Sequence, residues 1–173
     1  TQKLTITPVA IELTADSDSK TYDGTPLTKD SYTITGGSFV GEEGLESVTV
    51  VGSQTVVGKS DNTITGHKLK ANTKKENYSI TYKPGKLEVT NGSIAAFVTL
   101  TPKDVTEEYD GQPHATGTAT AADKNNNKIT IEYSKNGETW TTNPAEITAT
   151  DVEDSITVKV RASAENYAGY VEG

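Results

Sequence analysis

The chain repeats itself once. Tyr22-Asp23-Gly24-Thr25-Pro26 returns as Tyr109-Asp110-Gly111-Gln112-Pro113, 87 residues later. Thr5-Ile6-Thr7-Pro8 has a partner in Thr99-Leu100-Thr101-Pro102, and Asn77-Tyr78 returns as Asn166-Tyr167. Three matches in order, with divergence between them, argue for two related domains rather than a solenoid of short units. The expected division is residues 1–91 and 92–173, with Asn91-Gly92-Ser93 as the connecting turn. Lys86-Leu87-Glu88-Val89-Thr90 reads as the closing strand of the first copy. The second copy shows no such strand, whereas Lys3-Leu4-Thr5-Ile6-Thr7 resembles one belonging to a preceding copy. The ends are therefore expected to be cut from a longer array. Thr1 would not be a translational start, and the second domain would keep an unpaired sheet edge.

Two domains of roughly 85 residues bury thin cores, so dense strand pairing has to supply their stability. Threonine occurs 29 times against 7 leucines, a composition that favours strands over a helical bundle. Period-two alternation agrees. Ile156, Val158, Val160 and Ala162 alternate with polar residues, as do Ile129, Ile131 and Tyr133, and Tyr78, Ile80 and Tyr82. Val48–Val51 and Asn62–Thr65 are further strand candidates. Between them lie turn sequences: Ser134-Lys135-Asn136-Gly137, Asn125-Asn126-Asn127, Gly36-Gly37 and Lys83-Pro84-Gly85, the last with glycine expected at φ > 0. The fold class is all-β, as two tandem small β-sandwich (Ig-like) domains. A β-grasp is the alternative, because Ser38–Glu46 hints at a short helix near Glu42–Glu46 that Gly41 and Gly44 weaken.

The repeated motif has a physical reading of its own. Tyr22 and Tyr109 each suit a strand end, ring buried and hydroxyl hydrogen-bonded. Asp23-Gly24 and Asp110-Gly111 each make a turn, the aspartate capping backbone N–H groups, and Pro26 or Pro113 stiffens the exit. A corner that joins sheets is the main reading; contact of the tyrosines with a sugar is the other.

Lys20-Thr21-Tyr22-Asp23-Gly24-Thr25-Pro26-Leu27 closely resembles the opening of YDG/MBG-type tandem repeats in large bacterial surface proteins. Gly52-Ser53-Gln54, Val57-Gly58, Asn62-Thr63-Ile64, Asn77-Tyr78-Ser79-Ile80 and Lys86-Leu87-Glu88-Val89 resemble the family's middle and end. In the second copy Tyr109–His114, Tyr133–Trp140 and Asn166-Tyr167 are similar. The first copy departs by an apparent insertion, Ala15–Ser19. The resemblance implies extracellular β domains in the stalk or adhesive region of a cell-wall-anchored or secreted protein. It implies no catalytic motif. Its implied partners are neighbouring repeats of the same chain and, for mucin-binding relatives, host glycans or mucin.

Candidate chemistry is sparse. The chain has no cysteine, which excludes disulfides, thiolate metal sites and a cysteine nucleophile. His67 and His114 fall in different copies, and neither sits in a zinc motif. Asp16-x-Asp18 and the cluster Asp151, Glu153, Asp154 suggest calcium only weakly, so no metal and no cofactor is expected. No serine elbow is present, and Glu107-Glu108 would face opposite sides of a strand, so the chain is read as no enzyme. Trp140, with Tyr133 or Tyr170, is the candidate platform for a glycan or mucin peptide; packing over the sheet is the alternative. A Lys–Asn isopeptide bond is also admissible, joining Lys20 or Lys103 to Asn77 or Asn166 beside an acid.

Charge narrows the partners. Net charge is -8; residues 1–91 hold 10 lysines and 11 acids, residues 92–173 hold 6 basic residues and 13 acids. An acidic chain without a basic stripe neither releases counterions from nucleic acid nor seeks anionic lipid. No apolar run approaches the roughly 20 residues that span a bilayer, so no membrane insertion is expected.

Overall fold

A computed structural model describes all 173 residues, which form two compact units, Thr1–Thr90 and Asn91–Gly173. The chain is all-β, with 46% of residues in strands and 8% in short helical turns.

The first unit holds β1 (Val9–Ala15), β2 (Asp18–Thr21), β3 (Tyr32–Gly36), β4 (Leu45–Val51), β5 (Gly58–Leu69), β6 (Tyr78–Lys83) and β7 (Gly85–Thr90). They build two sheets, ordered β3-β1-β6 and β2-β7-β5-β4. β1 runs antiparallel to β3 and parallel to β6; β7 runs parallel to β2 and antiparallel to β5. Alternation decides the core. Ile11, Leu13 and Ala15 of β1 meet Ile64 of β5 and Tyr78 of β6, with Val48 and Val50 of β4 packed alongside.

The second unit holds β8 (Gly92–Ser93), α1 (Ile94–Phe97), β9 (Val98–Thr101), β10 (His114–Ala115), β11 (Thr120–Asp123), β12 (Ile129–Ser134), β13 (Thr148–Ala149), β14 (Lys159–Ala164), β15 (Tyr167–Ala168) and β16 (Val171–Glu172). β12-β14-β16 is its widest sheet; β11-β9, β10-β13 and β15-β8 are pairs. Ala119, Tyr133, Ile147 and Val160 form its core, with Leu100, Ile131 and Val158 against them.

The repeat survives at the level of register. Leu13 faces Ile34 and Thr14 faces Thr33 in the first unit; Leu100 faces Ala121 and Thr101 faces Thr120 in the second. Each of these positions is offset by 87, the spacing of the Tyr-Asp-Gly motif. Thr99–Thr101 therefore corresponds to Glu12–Thr14, not to Thr5–Thr7, and Ala15–Ser19 is no insertion. Thr5–Thr7 lies in no strand.

Several local expectations fail for identifiable reasons. Gly41 takes φ +59 in a turn, and β4 begins at Leu45, so no helix forms over Glu42–Glu46. Gly85 is not at positive φ; it is small because a Cβ there would lie 2.3 Å from the Ala15 carbonyl oxygen and 2.5 Å from that of Asp16. β14 begins only at Lys159, leaving Ile156 outside it and 46% exposed. Glu107 and Glu108 lie in an exposed non-strand segment rather than on a strand. At the other end Val171–Glu172 pairs with β14, a short strand that the sequence pattern does not show.

Candidate functional site

The Tyr-Asp-Gly corner is built nearly alike in both units. Asp23 Oδ1 accepts hydrogen bonds from the Thr25 N–H at 2.8 Å, the Thr25 hydroxyl at 2.7 Å and Lys20 Nζ at 2.7 Å. Asp110 Oδ1 accepts from the Gln112 N–H at 2.9 Å and contacts His114 Nε2 at 2.9 Å. Gly24 and Gly111 supply φ of +84 and +75, conformations an L side chain resists. Lys20 and then Thr25 hold the Asp23 carboxyl well below the usual carboxylate range. The Gln112 amide and then His114 lower that of Asp110. In each corner an anion is held by the turn it closes.

The two tyrosines differ. Tyr22 is buried and its N–H donates to the Thr90 carbonyl at 2.8 Å, closing the corner onto β7. Tyr109 is 67% exposed, so the expectation that its ring is buried fails. The segment around it, residues 102–110, lies in no strand, so the ring has no paired strand to pack on.

The aromatic candidates separate in the same way. Tyr133 is a core residue at 2% exposure, its hydroxyl accepting the Ala119 N–H at 2.9 Å, which removes it as a ligand contact. Trp140 and Tyr170 are brought together by a residue that sequence reading passed over. The Arg161 guanidinium lies 3.9 Å from the Trp140 ring centroid and 4.1 Å from that of Tyr170. Its Nε donates to Glu132 Oε2 at 2.8 Å. Trp140 is half-buried and its indole N–H donates to the Gly137 carbonyl at 3.2 Å, while Tyr170 stays 48% exposed. Each ring thus has one face given to the cation. The available signal was an acid and an arginine in two alternating segments, Glu132 and Arg161, which pair across the antiparallel strands β12 and β14.

The remaining candidates are dispersed. His67 Nδ1 hydrogen-bonds the Tyr82 hydroxyl, and His114 is engaged with Asp110. Asp16 accepts from Thr33 at 2.9 Å, whereas Asp18 faces Lys29 at 3.8 Å, so the pair does not converge. Asp151 and Asp154 form a reciprocal capping box at the start of one short turn, Val152–Asp154, the Asp154 carboxylate accepting the Asp151 N–H at 3.4 Å. Lys20 Nζ is taken by Asp23 and Thr25, and the Asn166 amide donates to Asn127 at 2.8 Å. Neither contact is an isopeptide pair. Comparison with known proteins returns no matching family model, curated protein or solved structure.

Proposed function

We propose that this chain is a non-catalytic tandem repeat module of a bacterial surface protein, acting outside the cell as the stalk or spacer of an adhesin. The observation that carries this reading is the corner. The most conspicuous motif in the sequence does structural work in both units, spending its carboxylate on its own turn rather than presenting it. The register repeat supports duplication of one structural unit, the mode by which stalks lengthen. Each unit is read as a small β-sandwich, loosely Ig-like, because the first unit's core draws on both of its sheets. The β-grasp alternative has one point in its favour, the β1 strand flanked by an antiparallel and a parallel neighbour.

A second reading, direct binding of host glycan or mucin, rests on Trp140 and Tyr170. Tyr170 is 48% exposed, Trp140 lines a cleft with Gly137 and Lys159, and aromatic faces stack on sugars. Glycan-array binding by the whole chain separates the two. A spacer gives no saturable signal and leaves Trp140 fluorescence unmoved. Saturable binding that Tyr170→Ala abolishes without loss of fold would replace the spacer by the adhesin.

A further inference from the structure

Two stretches of the first unit run side by side through both of its sheets. β1 pairs in parallel with β6 in one sheet, and β2 pairs in parallel with β7 in the other. The two ladders share one register. Val9 faces Tyr78 and Thr14 faces Lys83; Asp18 faces Leu87 and Thr21 faces Thr90, every partner lying 69 positions on. Residues 9–21 and 78–90 therefore form one parallel pair, in unbroken register, that passes from the first sheet into the second.

The crossing point is held as well. The Lys86 N–H donates to Ser17 Oγ at 2.9 Å. Gly85 lets the two backbones stay in contact there, since a Cβ would lie 2.3 Å from the Ala15 carbonyl oxygen. At the far end the Tyr22 N–H donates to the Thr90 carbonyl at 2.8 Å, and the Thr90 hydroxyl donates to the Lys20 carbonyl at 3.3 Å. The pair thus runs into the Tyr-Asp-Gly corner. Ile11, Leu13, Ala15, Leu87 and Val89 are buried along it.

This arrangement decides how tension acts. The chain enters the pair at Val9 and leaves it at Thr90, towards Asn91. A pull along the chain draws residues 9–21 back and residues 78–90 forward. Because both stretches run in the same direction, the pull slides one along the other and loads every rung at once. A pair pulled apart from one end gives way rung by rung instead. We propose that this pair is a shear clamp, by which the first unit bears tension along the chain. The need for one rests on the spacer reading, because a stalk transmits pull between its tip and its base; the clamp itself rests on the ladder alone. Parallel rungs are evenly spaced, so the load is shared along the pair. Rupture under force then follows the unfolding rate rather than equilibrium stability.

Optical-tweezer pulling on the full chain tests this with cysteine handles, which attach nowhere else because the chain has no cysteine of its own. Lys3→Cys with Asn91→Cys loads the pair in shear and leaves the residues beyond 91 outside the force path. Lys3→Cys with Lys75→Cys pulls both stretches from the end at which Val9 faces Tyr78, and peels them. Lys3, Lys75 and Asn91 are all exposed. Each rupture is assigned by its gain in length, at about 3.6 Å per released residue. At one loading rate the shear pair is expected to rupture at about twice the force of the peeling pair or more. Rupture at equal force, or more readily in shear, overturns the clamp. Glycan-array binding judges the spacer reading separately: saturable binding would replace the spacer without equalising the two forces, and equal forces would remove the clamp without creating a binding site.

Discussion

Asp23 shows how much one side chain can organise. Its carboxylate gathers a lysine, a hydroxyl and a backbone N–H, and these hold its pKa well below the ordinary value. A group lowered in the folded state stabilises it above the unfolded pKa, about 3.9 for aspartate, and that contribution fades as pH falls through and below it. Asp23→Asn is expected to lower the urea midpoint of the first unit at neutral pH and to leave a shallower loss in acid. A slope equal to that of the wild type below about pH 4 would rule the corner out as its source. Some slope remains because Lys83 lowers Glu12, and Ser31 with Thr33 lowers Asp16. Glycines make the other residue-scale contrast. Gly85→Ala drives a methyl into the Ala15 and Asp16 carbonyls, at an expected cost of about 1–3 kcal/mol or more. Gly41→Ala, with open space but φ +59, is expected to cost about 1 kcal/mol. Equilibrium urea unfolding of the two variants checks the order.

At the scale of elements, β7 carries the first unit. It joins β2 to β5 and buries Leu87 and Val89 completely. Leu87→Ala is expected to cost roughly 2–5 kcal/mol, the range for emptying a packed leucine site. Leu4→Ala, at an exposed position outside every strand, is expected to shift the midpoint hardly at all. Equal effects would contradict the burial difference. The antiparallel β12–β14 pair makes its own prediction through Arg161. Lysine keeps the charge but loses the planar stack on Trp140 and Tyr170, so Arg161→Lys is expected to cost about 1 kcal/mol. Near-ultraviolet circular dichroism of the indole band should fall with it; an unchanged band would mean that the stack does not fix Trp140.

At the scale of the whole chain, stability comes without sulfur. Neither cysteine nor methionine is present, so no disulfide can be reduced and no thioether oxidised. Unfolding midpoints are expected to be the same with and without reductant, and after mild peroxide treatment. A shift of several degrees after peroxide would reveal an oxidation-sensitive core residue. Charge is the other whole-chain property. Its excess lies in residues 92–173, where 13 acids oppose 6 basic residues.

Strand content, the two-fold repetition and the Tyr-Asp-Gly corners were legible in the sequence, because period-two alternation and turn chemistry are local properties. The register offset of 87 was present too, but matching Thr5–Pro8 with Thr99–Pro102 by letters obscured it; only the pairing of β9 with β11 shows that Glu12–Thr14 is the true counterpart. What the sequence could not fix was what each side chain meets across space. Tyr22 and Tyr109 are the same letter in the same motif, yet one is buried against a neighbour and the other is exposed. Tyr133 went to the core and Arg161 to the aromatic pair, although both stand in plainly alternating strands. Burial depends on which strand lies alongside, and that partner is chosen by the tertiary fold, not by the residue.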